Sequence, residues 1–222
     1  GKTGFEVGET SKEQPTALHI SFSIQKADTE SQNTAKVTLW NLNPSQLAIL
    51  NEKDCVVVLK AGYGNRMPLV FTGAVSFVKT STDGSDRMTE IEAVDGRIEI
   101  RDTYVSVSYA GVINTKKIIE DVAAQMGVTV TFSYNAKFTD FPNGYSLIGQ
   151  AKNILDKVCA SGGLSWSIQN GILQVKKIKD TMSREVYLLS PDTGLINIPQ
   201  KISLSAEDQN GKDQTGWDVD YL

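Results

Sequence analysis

The sequence predicts an α+β fold dominated by β-structure: an antiparallel β-barrel-like domain, an α/β subdomain of two helix–strand units, and the start of a second β domain. Three observations predict it. Strand signals recur about every ten to fifteen residues as far as Tyr109, with turn-forming links between them. After Gly111 the apolar spacing switches, twice, from alternation to the helical period. Beyond Asp180 it returns to short alternating runs. The corresponding division is 1–110, 111–180 and 181–222.

Each element has its own justification. Leu18, Ile20, Phe22 and Ile24 alternate with His19, Ser21, Ser23 and Gln25, the pattern of a strand with one buried face. Ala35, Val37 and Leu39 alternate in the same way with Lys36, Thr38 and Trp40. Pro44 suits the first position of a short helix over Ser45–Leu50. Cys55–Leu59 is nearly all β-branched and reads as a strand buried on both faces, followed by a turn or bulge at Ala61-Gly62-Tyr63-Gly64. Strands follow over Leu69–Lys79, Met88–Val94 and Ile98–Tyr109, joined by Thr82-Asp83-Gly84-Ser85 and Asp95-Gly96.

Asn114 is a good helix N-cap, with Ile118, Ile119, Val122, Ala123 and Met126 at helical spacing, Gly127 as C-cap and a strand over Val128–Phe132. Ile148, Ala151, Ile154, Leu155, Val158 and Cys159 predict a second helix, stopped by Gly162-Gly163. Leu164–Ile168 and Ile172–Ile178 flank Asn170-Gly171, the strongest short hairpin signal in the chain. The two helix–strand units should pack on each other or on the barrel, because neither hides its apolar face alone. A strand over Val186–Leu189, a turn at Ser190–Gly194, a strand over Ile202–Leu204 and a polar loop over Ala206–Gly216 complete the reading. The chain stops on the alternating run Trp217–Leu222, which leads us to expect a truncated second β domain.

Composition narrows the function. With a formal net charge of -4, and Lys116-Lys117 and Lys176-Lys177 as the only adjacent basic pairs, the chain is not built to wrap nucleic acid. Cys55 and Cys159 lie far apart in apolar runs, which fits free thiols buried as small hydrophobes rather than a disulfide framework or a metal cluster. We expect no signal peptide, and the sequence has no apolar run long enough to span a bilayer as a helix.

Catalytic chemistry finds no constellation. His19 is the sole histidine, and it falls on the polar face of a strand. No nucleophile elbow, phosphate-binding glycine loop or dinucleotide fingerprint occurs; Gly62-Tyr63-Gly64 leads to Asn65-Arg66-Met67-Pro68 instead of a helix. Glu90, Glu92 and Asp95 lie on one strand and its turn; Glu90 and Glu92 share one face two residues apart, and such like charges read as a solvated face more readily than as a glycosidase pair. Asp83, Asp86, Asp140 and Asp192 suit backbone hydrogen bonding in turns. Trp40 and Trp166 read as core or interface anchors before sugar platforms. We therefore expect no enzyme, no cofactor and no metal.

In their order along the chain, several short motifs resemble the hub and baseplate proteins of tailed phages and prophages. They are Leu18-His19-Ile20-Ser21-Phe22-Ser23-Ile24-Gln25-Lys26, Asn33-Thr34-Ala35-Lys36-Val37-Thr38-Leu39-Trp40-Asn41-Leu42, Val58-Leu59-Lys60-Ala61-Gly62-Tyr63, Val70-Phe71-Thr72-Gly73, Glu92-Ala93-Val94-Asp95-Gly96 and Thr193-Gly194-Leu195-Ile196. The helical units, with Trp166 before the Asn170-Gly171 hairpin, fit the same family. That resemblance implies a structural subunit in the virion tail, made in the host cytoplasm. It implies a ring of copies, a trimer, joining the tail tube to spike, fibre or other tail-tip proteins. It carries over no catalytic residue. The candidate interface residues are Lys36, Thr38 and Trp40 on one exposed alternation, and Tyr63. The rival readings are a host-surface carbohydrate-binding module, which needs clustered exposed aromatics, and a tail hydrolase, which needs two opposed carboxylates.

Overall fold

The alternation read in the first hundred residues becomes a curled, all-antiparallel half-barrel sheet in the computed structural model. The structure describes residues 4–8, 18–26, 32–62, 67–96, 103–185, 188, 190–193, 195–207 and 213–218. The chain divides into two units, Gly1–Met182 and Ser183–Leu222. In chain order the half-barrel comprises β1 (Ile20–Gln25), β2 (Thr34–Trp40), helix α1 (Pro44–Leu50), β3 (Val56–Lys60), β4 (Leu69–Asp83) and β5 (Asp86–Val94). The sheet order is β1-β2-β5-β4-β3.

Ala35, Val37 and Leu39 of β2 and Ile91 and Ala93 of β5 are buried on the inner face, together with Phe71 of β4. Phe5, Val7 and Leu18 pack against this core, which Leu47 and Leu50 of α1 also line. That helix starts at Pro44 with a full capping box: the Asn43 carboxamide oxygen accepts from the Gln46 backbone N–H at 2.9 Å, and the Gln46 side chain accepts from the Asn43 N–H at 2.9 Å. Gly73 sits where the backbone of β5 comes closest: a Cβ there would lie 2.8 Å from both the Phe71 ring and the Val94 carbonyl carbon.

Two expectations change here. The run Cys55–Leu59 is not buried on both faces, since Val56 and Val58 are 52% and 59% exposed. The reason is position: β3 is a terminal strand, and only Val57 and Leu59 meet the core. Cys55 is only half-buried for the same reason. At the other end of the sheet, Phe22 pairs in register with Val37 yet is exposed, because β1 has a neighbour on one side alone.

The α/β part contains β6 (Tyr104–Tyr109), β7 (Ile113–Asn114), α2 (Thr115–Met126), β8 (Thr129–Phe132), β9 (Asp140–Phe141), β10 (Tyr145–Gln150), α3 (Ala151–Ser161), β11 (Leu164–Gln169) and β12 (Ile172–Lys177). Asn114 caps α2 through its side-chain oxygen, 2.9 Å from the Lys116 N–H, and Gly127 ends the helix in the left-handed conformation. Ile118, Ile119 and Val122 of α2 share one core with Ile154, Leu155, Val158 and Cys159 of α3 and with Trp166, Leu173 and Val175 of the sheet. The two units do pack on each other. Their strands join in a three-stranded sheet, β11-β12-β8, in which β12 and β8 run parallel and Asn170-Gly171 makes the tight β11–β12 hairpin, both residues at positive φ. Ile148 is not part of the second helix. It lies in β10 opposite Ser106 of β6 and is 70% exposed, because the helix starts only at Ala151 and the ribbon turns this position outward.

In the second unit a short 3-10 turn over Pro191–Thr193 precedes β13 (Gln200–Glu207), which pairs antiparallel with β14 (Asp213–Asp218). Where the expected polar loop over Ala206–Gly216 is described, at 206–207 and 213–216, it is strand, because the backbone pairs in a two-stranded ladder. Val186, Tyr187 and Leu189 of the expected strand, the 98–102 start of the expected strand to Tyr109, and 219–222 lie outside the described residues.

Candidate assembly surface

Lys36, Thr38 and Trp40 alternate with the buried Ala35, Val37 and Leu39, and so they share the outer face of the half-barrel. The ladder arranges this face in cross-strand rows. Lys36 stands opposite Ser23 of β1 and Glu92 of β5, and Glu92 stands opposite Phe77 of β4. Thr38 stands between Ser21 and Glu90, and Glu90 faces Lys79. The Lys36 ammonium reaches diagonally to the Glu90 carboxylate at 3.1 Å. Trp40 stacks on His19, ring centroids 4.1 Å apart and planes 19° apart, so the lone histidine covers one face of the indole. Because β2 runs between β1 and β5, its backbone is already paired on both sides. Any contact at these three residues is made by side chains from the face of the sheet. Tyr63 lies outside the described residues.

The sheet flanks are β1 and β3. On the β3 side the outer surface is apolar: Val56 and Val58 stand beside Ala74 and Thr72 of β4, with exposed Leu69 on the same strand. Exposed Phe77 follows the bulge at Ser76, where β4 slips by one residue against β5. Charge thus gathers on β2, β5 and Lys79, while the exposed row of β3 has two valines followed by one charge, Lys60, opposite Leu69.

Several of the carboxylates and aromatics weighed for chemistry are tied into the fold by ion pairs or hydrogen bonds. Glu90 is ion-paired to Lys36. Asp95 is only 2% exposed and accepts from the Asn170 and Gly171 backbone N–H groups at 2.5 and 3.1 Å. Asp95 lies in the turn that the sequence predicts, and the hairpin that claims its carboxylate is 75 residues away. Trp166 is buried and donates its indole N–H to Asp156 at 2.8 Å, which removes it from any sugar platform. Tyr109 donates to Asp121 at 2.6 Å; burial, then that hydrogen bond and the Asp121 charge, raise the phenol well above its usual range. Burial opposes ionisation of Asp121, yet hydrogen bonds from Lys117 and Tyr109 hold its carboxyl below the ordinary value. Among the described residues no group of three or more His, Cys, Asp or Glu side chains is placed to hold a metal ion, and no helix is long and apolar enough to cross a membrane.

The fold and the sequence are both similar to those of known proteins. Two solved structures share the fold. The 43 kDa tail protein of prophage MuSo2 from Shewanella oneidensis has a TM-score of 0.54 at 12% identity, over 83% of this chain and 57% of that one. A tail protein from Neisseria meningitidis MC58 has a TM-score of 0.51 at 13% identity, over 90% and 62%. The chain therefore spans about three-fifths of the length of these relatives. No curated protein sequence matches it significantly. Residues 2–204 match the family described as baseplate hub gp41, and the chain belongs to that family.

Proposed function

We propose that this hub protein works as a structural ring subunit: copies of the chain, three in number, close edge to edge and join the tail tube to spike or other tail-tip proteins. The observation that carries this reading is the open half-barrel, whose terminal strands β1 and β3 flank a five-stranded sheet. A terminal strand offers backbone N–H and C=O groups to a neighbouring strand, and β3 adds the outward-facing Val56 and Val58. The charged rows around Lys36, Thr38 and Trp40 are proposed as a side-chain contact on the adjoining face, with Tyr63 as a further contact. Such a protein is a component of the tail, and its work is adhesion between subunits, with no covalent chemistry. The division into 1–110, 111–180 and 181–222 belongs to the same proposal, as a ring module, an α/β module and the start of a second β module.

The test is the mass of the full-length protein in solution by light scattering, alone and with tube and spike proteins from the same phage or prophage. A ring mass that falls to the monomer in Val58→Lys, with the circular dichroism spectrum unchanged, is the expected result. A monomer at every concentration that binds no tail protein would overturn the reading.

A further inference from the structure

Residues 4–182 hold two separate apolar cores. One lies inside the half-barrel, from Phe5 to Ala93. The other lies among α2, α3 and the sheets around them, from Val105 to Val175. Where they meet, around Asn33 and Asp95, the described residues are joined by hydrogen bonds, with Ile168 packed beside Gly96. Asn33, at the start of β2, is fully buried and donates to the Ile168 carbonyl at 3.0 Å and to the Gln169 side-chain oxygen at 2.9 Å. Its amide also lies 3.4 Å from Asp95, whose own N–H donates to the Asn33 carbonyl at 2.9 Å. The Asp95 carboxylate then receives the two N–H groups of the Asn170-Gly171 turn. Lys26 adds a surface hydrogen bond to Asn170 at 3.1 Å. Gly96 completes the joint: it has a φ of +65°, and a Cβ there would stand 2.9 Å from Ile168.

We propose that this cluster is a releasable latch. It holds the half-barrel and the α/β layer at one angle, and it opens while both cores stay folded. The physical reason is the kind of surface involved. Parting an apolar seam exposes hydrocarbon to water, whereas parting this one returns a carboxylate, a carboxamide and two N–H groups to hydration. Opening therefore costs much less than unfolding either core, which makes the joint the low-stability element of the unit. A hub with such a joint can change the angle between its two modules during tail assembly without refolding. The latch stands on its own geometry, and it survives if the edge-to-edge ring fails.

Native-state hydrogen exchange on the full chain, with distances between spin labels, tests it. In the wild type the Asn170 and Gly171 amides should exchange about tenfold or more faster than those of Leu155 and Ile91, because a local opening exposes them first. Labels at Ser23→Cys on β1 and Ser108→Cys on β6, in a Cys55→Ser background, should give one narrow distance in the wild type. They should give a broad distribution in Asp95→Ala and in Asn33→Ala, with Leu155 and Ile91 still protected. Equal protection at all four amides overturns the proposal, as does an unchanged narrow distance in both variants. Loss of core protection in both variants overturns it too, since latch and cores would then be inseparable.

Discussion

The half-barrel and the α/β layer solve the same problem in different ways. In the α/β layer two amphipathic helices and three small sheets close around one core, and Leu155, Val158, Leu173 and Val175 lose all contact with water. The half-barrel has one curled sheet covered by a two-turn helix and an N-terminal segment, and much of its inner face, including Ile20, Val57 and Leu59, is only partly buried. A closed core needs nothing further. An open sheet leaves terminal strands and exposed valines, and this difference teaches why the proposed ring contact is sought on the half-barrel and not on the α/β layer.

The contrast can be broken or sharpened by measurement. Its largest expected effect is Leu155→Ala, which should cost about 2–5 kcal/mol in urea unfolding, while Val57→Ala in the half-barrel should fall clearly short of that. Equal losses would erase the distinction between a closed and an open core. Next comes alkaline sensitivity. Burial, and behind it the Asp156 charge, pushes the Cys159 thiol up to about 12. The raised value favours the protonated folded state, so this contribution is intact below the unfolded thiol range and lost as pH climbs towards 12, at about 1.4 kcal/mol per pH unit. Cys159→Ala should flatten the unfolding midpoint against pH relative to the wild type, whereas Cys55→Ala should do so much less.

Third in size, Asn43→Ala removes the capping box of α1 and should cost about 0.5–2 kcal/mol, with the loss confined to half-barrel amides in hydrogen exchange. Smallest is Lys36→Ala. The ion pair with Glu90 is half exposed, so its loss should move stability by about 0–1 kcal/mol in low salt and less in high salt. A change in ring mass without a change in stability would separate an assembly role for Lys36 from a folding role.

Much of this contrast was legible from residue spacing. Period-two alternation found β2, the Pro44 and Asn114 signals found two helix starts, and Asn170-Gly171 found its hairpin, because each is a local preference. What escaped depended on neighbours distant in sequence. A β-branched run such as Val56–Leu59 says strand, but whether one face or two is buried depends on which strand comes to lie beside it. Ile148 fits the helical period of the residues after it, yet pairing with β6 claims it for a ribbon. Asn33, Asp95-Gly96 and Gly73 were all visible as parts of motifs. Their reasons were not: a buried latch, a position with no room for a Cβ, and a close approach of two strands. The candidate surface was legible as an alternation on β2, but not as the middle of a sheet.

The parallel pairing of β8 with β12 has a further consequence, for the order in which the chain is made. Every strand of the half-barrel sheet has left the ribosome once residue 94 emerges, so that module has all its partners early. Thr129–Phe132 must wait for Ile172–Lys177, with a whole helix and a hairpin strand synthesised in between. During that interval the nascent chain carries a finished module followed by an unfinished one, and the turn that Asp95 grips is supplied only near the end of the wait.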